Sequence, residues 1–171
     1  MKYLIGLVLA LVLVFSVAGT ALATPILPVS EGQFFIFGEY NENWGGFEFG
    51  AGYGLTDNFT LDLYYAPYYT ELGGFIAFAF QPFVAELTVC GRLDGSSFMY
   101  GQASALYTLE LGSFTLGLGG GVDFNNGGWF AGYVKAAADL ALSDTVAIYG
   151  SICYWPSIDY IAYQAGLSLA F

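Results

Sequence analysis

The sequence predicts an all-β chain that closes into an antiparallel transmembrane β-barrel of about ten strands with short loops; eight strands is the alternative count. Three observations carry this. The chain of 171 residues is 57% apolar and only 10% charged, too greasy for an ordinary soluble surface. Outside the N-terminus it has no apolar run of the roughly 20 residues that a membrane-spanning helix needs. Its apolar residues instead alternate with small and polar ones, the period-two pattern of strands with one greasy face. Closure follows from the solvent, because an open sheet edge in hydrocarbon strands N–H and C=O groups at roughly several kcal/mol each.

Residues 1–23 read as a secretory signal peptide. Lys2 supplies the positive start, residues 3–15 the apolar core, and Ala21-Leu22-Ala23 the small-x-small cleavage site, with Thr24 the first mature residue. Residues 24–171 form one barrel domain. A short extended lead-in with Pro25 and Pro28 precedes a first strand over 33–40, and a turn-rich loop holding Trp44 follows. The strand over 47–55 has the cleanest alternation: Phe47, Phe49, Ala51, Tyr53 and Leu55 on one face, Glu48, Gly50, Gly52 and Gly54 on the other. Further strands are expected over 59–66, 75–80, 83–93, 98–109, 114–124, 129–142, 145–155 and 160–171. Residues 67–74 read as a loop, and Gln81-Pro82 as a break in the sheet. Ala and Leu in 136–142 favour a helix, but the alternation across 129–142 outweighs them.

Two turns look alike, Leu55-Thr56-Asp57-Asn58 and Leu142-Ser143-Asp144-Thr145. An even strand count puts both chain ends on one side. Trp44, Trp129 and Trp155 then fall beside the longer loops, and Phe59, Phe80, Phe83, Phe114 and Phe171 at the opposite end. Two aromatic girdles of this kind suit the two membrane interfaces. Cys90 and Cys153 fall on strands set apart in the barrel, too distant for a disulfide, so both are expected as free thiols.

The last stretch, Tyr163-Gln164-Ala165-Gly166-Leu167-Ser168-Leu169-Ala170-Phe171, alternates strictly and stops on an aromatic. Here the sequence resembles the bacterial outer-membrane β-barrel proteins, in which a C-terminal strand ending in Phe is the signal read by the barrel-assembly machinery. The resemblance implies a location in the bacterial outer membrane, with outer-membrane lipids and that machinery as partners. It also implies that Tyr163, Leu167, Leu169 and Phe171 act as the assembly signal.

Composition narrows the function. With Lys2 removed, two basic residues face 14 acidic ones, and 2 − 14 leaves a net charge of −12. That argues against nucleic-acid binding. The chain has no His, so a Ser or water nucleophile lacks its usual base, and no enzyme activity, metal site or cofactor is expected. The Gly117-Leu118-Gly119-Gly120-Gly121 run opens no helix and reads as small residues on a strand rather than a phosphate cradle. By the strand registers Glu39, Glu48, Asp62, Glu86, Asp123 and Asp139, with Arg92 and Lys135, point into the lumen. Charges facing lipid are costly, about 2–4 kcal/mol for basic ones at the midplane. Glycines on the same face leave room for water, while Tyr64, Tyr100 and Tyr149 take some of it back. The expected function is a narrow, cation-preferring, porin-like channel for small cations or solutes. The alternative is a non-conducting structural or interaction barrel.

Overall fold

The computed structural model describes residues 30–42 and 46–171. The signal peptide, its cleavage site, most of the lead-in and Trp44 lie outside the described residues. Ten strands run in chain order: β1 (Phe34–Asn41), β2 (Gly46–Thr56), β3 (Phe59–Ala66), β4 (Glu71–Phe80), β5 (Phe83–Arg92), β6 (Met99–Leu111), β7 (Phe114–Asn125), β8 (Phe130–Ser143), β9 (Val146–Trp155) and β10 (Tyr160–Ala170). Each pairs antiparallel with its neighbour in sequence, and β10 pairs with β1 to close the barrel. Ten, not eight, is therefore the count among the described residues, and 136–142 is strand.

The alternation sorts the two walls. Phe47, Phe49, Leu63, Leu118, Phe130 and Ile152 stand exposed on the outside, while Glu48, Asp62, Glu86, Asp123 and Asp139 are buried within. Short turns join the strands at one end, after β2, β4, β6 and β8, and both described chain ends lie there too. At this turn end a chain of rings runs along the wall: Phe59–Phe78 (6.4 Å), Phe78–Phe80 (6.1 Å), Phe80–Phe83 (5.8 Å) and Phe83–Tyr107 (5.6 Å). Phe171 donates its N–H to the Phe34 carbonyl at 2.8 Å and sets its ring 6.4 Å from that of Phe34, a separate aromatic pair at the same end.

The two similar turns share a device. At each, the ladder shifts register just before the turn, between Gly54 and Thr56 and between Ala141 and Ser143. The hydroxyls of Thr56 and Ser143 then accept the N–H two residues on, both at 3.3 Å. A Ser or Thr at that place supplies a local acceptor that ends the strand.

Two expectations need correction. Strand β4 begins at Glu71, within the stretch read as loop; Leu72-Gly73-Gly74 hides the alternation because glycine marks neither face. Trp155 does not join a girdle. It is 2% exposed and turned into the lumen, where a buried partner claims its N–H. Trp129 does stand partly exposed at the loop end.

Candidate functional site

The inner wall is layered. Toward the turn end Phe35, Val84, Leu106, Ala147 and Ala170 fill the barrel with apolar side chains. Above them lies a cavity of about 130 Å³ lined by Glu39, Glu48, Asp62, Glu86, Lys135 and Asp139, together with Tyr64, Tyr149 and Gln164. A second space of about 30 Å³ lies between Gln102, Ser151, Cys153, Trp155 and Gln164. The larger one has room for several water molecules.

Bridges cross this lumen. Lys135 Nζ on β8 reaches Glu86 Oε2 on β5 at 2.7 Å, and Ser104 Oγ donates to the same oxygen. Tyr149 OH on β9 donates to Glu39 Oε2 on β1 at 2.6 Å. Gln164 Nε2 donates to the other Glu39 oxygen, and Ser151 Oγ in turn to Gln164 Oε1 at 3.0 Å. Nearer the loops, Asp123 takes the Trp155 indole N–H on Oδ2 at 2.6 Å and the Gln102 amide on Oδ1 at 2.9 Å. Charge-assisted bonds of this sort are the stronger class.

Of the residues expected inside, Glu39, Glu48, Asp62, Glu86, Lys135 and Asp139 do share one cavity. Asp123 is buried but bound into the layer nearer the loops. Arg92 sits at the loop rim, its Nε 3.1 Å from Glu71 Oε1 and its guanidinium 5.5 Å from the Tyr69 ring and 5.2 Å from that of Phe98. Glu71 is a seventh inward carboxylate, missed with the start of β4. Beyond the strands, the Ser96 N–H bond to Asp94 Oδ1 (2.8 Å) holds that carboxyl below its ordinary range.

Four inner glycines, Gly50, Gly52, Gly73 and Gly166, do not open space for water. A Cβ at Gly50 or Gly52 would fall inside the ring of Phe37 or Phe35; one at Gly73 or Gly166 would fall inside that of Tyr64 or Tyr149. Each ring belongs to the glycine's direct cross-strand partner. The glycines are berths in which large rings lie flat across the lumen wall, and such cross-strand pairs stabilise sheets. Cys90 and Cys153 are both free, on β5 and β9, as expected. Within the proposed assembly signal, Tyr163 and Phe171 face outward, whereas Leu169 is buried. It pairs with Ile36 and Val146 at the seam that closes the barrel.

No family model and no curated protein matches this chain. Among solved structures, the de novo designed transmembrane barrel TMB2.3 is similar at 13% identity, over 80% of this chain and 90% of that one, with a TM-score of 0.49. The outer-membrane protein Ail of Yersinia pestis is similar at 13% identity, over 82% and 100%, with a TM-score of 0.43. OprB of Pseudomonas putida gives 10% identity, over 81% and 62%, with a TM-score of 0.33. At such values the likenesses carry neither family nor function.

Proposed function

We propose that this chain is a β-barrel of the bacterial outer membrane whose lumen is braced shut, a structural or interaction barrel rather than a solute pore. The apolar outer wall with aromatic rings at its ends supports the bilayer. The observation that carries the closed lumen is the Lys135–Glu86 bridge from β8 to β5, above an apolar fill and beside a cavity of only about 130 Å³. The absence of His from the sequence supports a non-enzymatic role. The barrel folded into vesicles should admit no sugar in a swelling assay and show no porin-sized steps in a planar bilayer. Sugar entry at porin-like rates would end this reading.

One observation favours the second reading, a narrow cation pathway. The lumen holds seven inward carboxylates against Lys135 and Arg92. A confined field of that sign concentrates cations. Should small ions pass, the reversal potential across a salt gradient should show cation preference, and Lys135→Gln should raise it. An anion-preferring wild type would exclude this pathway.

The same proposal gives the last strand to the assembly machinery. Deleting Phe171 removes its ring pair and its bond with Phe34, and should lower the folded, heat-modifiable fraction on a gel. An unchanged fraction would mean that this residue is not read during assembly.

A further inference from the structure

Asn126–Gly127 is the one Asn-Gly step in the sequence, and it stands where β7 passes into the loop before β8, at the rim of the barrel. Glycine has no side chain to block its own nitrogen, so this step is open to attack of that nitrogen on the preceding side-chain carbon. Both residues are exposed. The Asn126 side chain, however, is not free to fold back on its own chain. Its Nδ2 donates to the Ser97 carbonyl in the β5–β6 loop, and its Oδ1 accepts the Met99 N–H at 3.2 Å. Its backbone N–H donates to the Met99 carbonyl at 3.1 Å. The attacking nitrogen is engaged as well. The Gly127 N–H donates to Asn125 Oδ1 at 2.9 Å, in a turn that also brings the Trp129 N–H to the same oxygen at 3.1 Å. Both reactants are thus held elsewhere while the two loops lie together.

We propose that Asn126–Gly127 is a deamidation site that the neighbouring loop holds closed, and that the modification releases that loop. When the rim opens, the Gly127 nitrogen attacks Asn126 Cγ. The new N–C bond forms, the Cγ–Nδ2 bond breaks, and ammonia leaves with the proton from Gly127. Water then opens the five-membered imide at one carbonyl or the other and leaves a carboxylate, on an aspartyl or an isoaspartyl link. Either product lacks the Nδ2 donor, because an ionised carboxylate only accepts. The Ser97 carbonyl then faces an acceptor where it had a donor. The β5–β6 loop is also tied to the β3–β4 loop, through the Leu93 N–H on the Thr70 carbonyl at 2.8 Å. What Asn126 releases is therefore the middle of three joined loops. The site depends on these loops alone, and stands whether or not the barrel conducts.

The test follows the mass of the peptide carrying residue 126 in mildly alkaline buffer, with fragment ions assigning the change to Asn126. The barrel folded into zwitterionic lipid vesicles is compared with the same chain unfolded in guanidinium chloride. The folded barrel should convert about tenfold more slowly, or slower still, because reaction waits on local opening. Met99→Pro removes the N–H on Asn126 Oδ1 at the first position of β6, where a strand tolerates proline, and should speed conversion in the folded barrel severalfold. Asn125→Ala frees the Gly127 N–H and should do the same; it carries the test if the proline variant does not fold. Each variant's folded rate is read against its own unfolded rate. Asn126→Asp should quicken amide exchange over residues 93–98 and leave the strand centres as in the wild type. Equal rates in the folded and unfolded chain would overturn the proposal. So would conversion that neither variant speeds, or loop exchange that Asn126→Asp leaves unchanged.

Discussion

Asp123 and Glu48 are both inward carboxylates, each on a strand with large apolar residues on its other face, and both are almost fully buried, at 1% and 3% exposed. They differ in what surrounds them. Asp123 has an indole N–H and a carboxamide donating to its two oxygens. Glu48 faces another glutamate, and its Oε1 has no donor. The side from β6 to β9 supplies Gln102, Ser104, Lys135, Tyr149 and Trp155 as donors. The inner face of β2 is instead Glu48 followed by Gly50, Gly52 and Gly54. Asp123 is thus held by neutral donors, whereas Glu48 shares its place with a second acid. A fully bonded polar network of the first kind stiffens a barrel.

The largest effect should come from the side from β6 to β9. Lys135→Met leaves the Glu86 carboxylate buried with Ser104 alone, and breaking one side of a buried pair costs about 3–5 kcal/mol. The urea midpoint in vesicles should drop accordingly, and adding Glu86→Leu should recover most of the loss. A drop no larger than that of a surface variant would mean the bridge does not brace the lumen. Next comes Gly166→Ala. Its Cβ would occupy the Tyr149 ring and approach Glu39 Cβ at 2.7 Å, so the ring must leave and its bond to Glu39 with it. Overpacking and the lost bond together should cost about 3 kcal/mol. A cost near zero would mean the ring has room to move, and that glycine is no berth.

Trp155→Phe tests the partner of Asp123 directly. It keeps most of the ring packing and removes the indole N–H, leaving Asp123 one buried donor short. Losing one bond to a buried charged group costs about 1–3 kcal/mol, read as a lower urea midpoint with unchanged slope. A smaller loss than for Glu48→Gln would invert the comparison between the two carboxylates.

Much of the barrel could be read from alternation, because one face meets an apolar wall and the other a polar lumen. That is why Glu39, Glu48, Asp62, Glu86, Asp123 and Asp139 were all assigned inward, and why β3 was placed to its exact ends at 59 and 66. The start of β4 was lost where Gly73 and Gly74 interrupt the pattern, and Glu71 was lost with it. Trp155 was misplaced because a tryptophan near a strand end suits an interface equally well; only the position of Asp123 two strands away turns it inward. Gly50, Gly52 and Gly166 read as open space in the sequence, since period two says which way a residue points but not what its cross-strand neighbour lays over it. Partnership across the lumen, such as Lys135 with Glu86, depends on barrel closure and shear, which no local pattern encodes.

The smallest effect, and the one of opposite sign, belongs to Glu48→Gln. The substitution keeps the volume and replaces one of two acids set directly opposite across β1 and β2, where like charges destabilise a sheet. The new amide can donate to Glu39. The urea midpoint should therefore rise slightly, by less than about 1 kcal/mol. The matched substitution Asp123→Asn should fall below wild type, since its new amide N–H groups meet the donors Trp155 and Gln102 instead of acceptors. If Glu48→Gln instead loses stability as Asp123→Asn does, Glu48 is served by donors of its own, and the two carboxylates are alike.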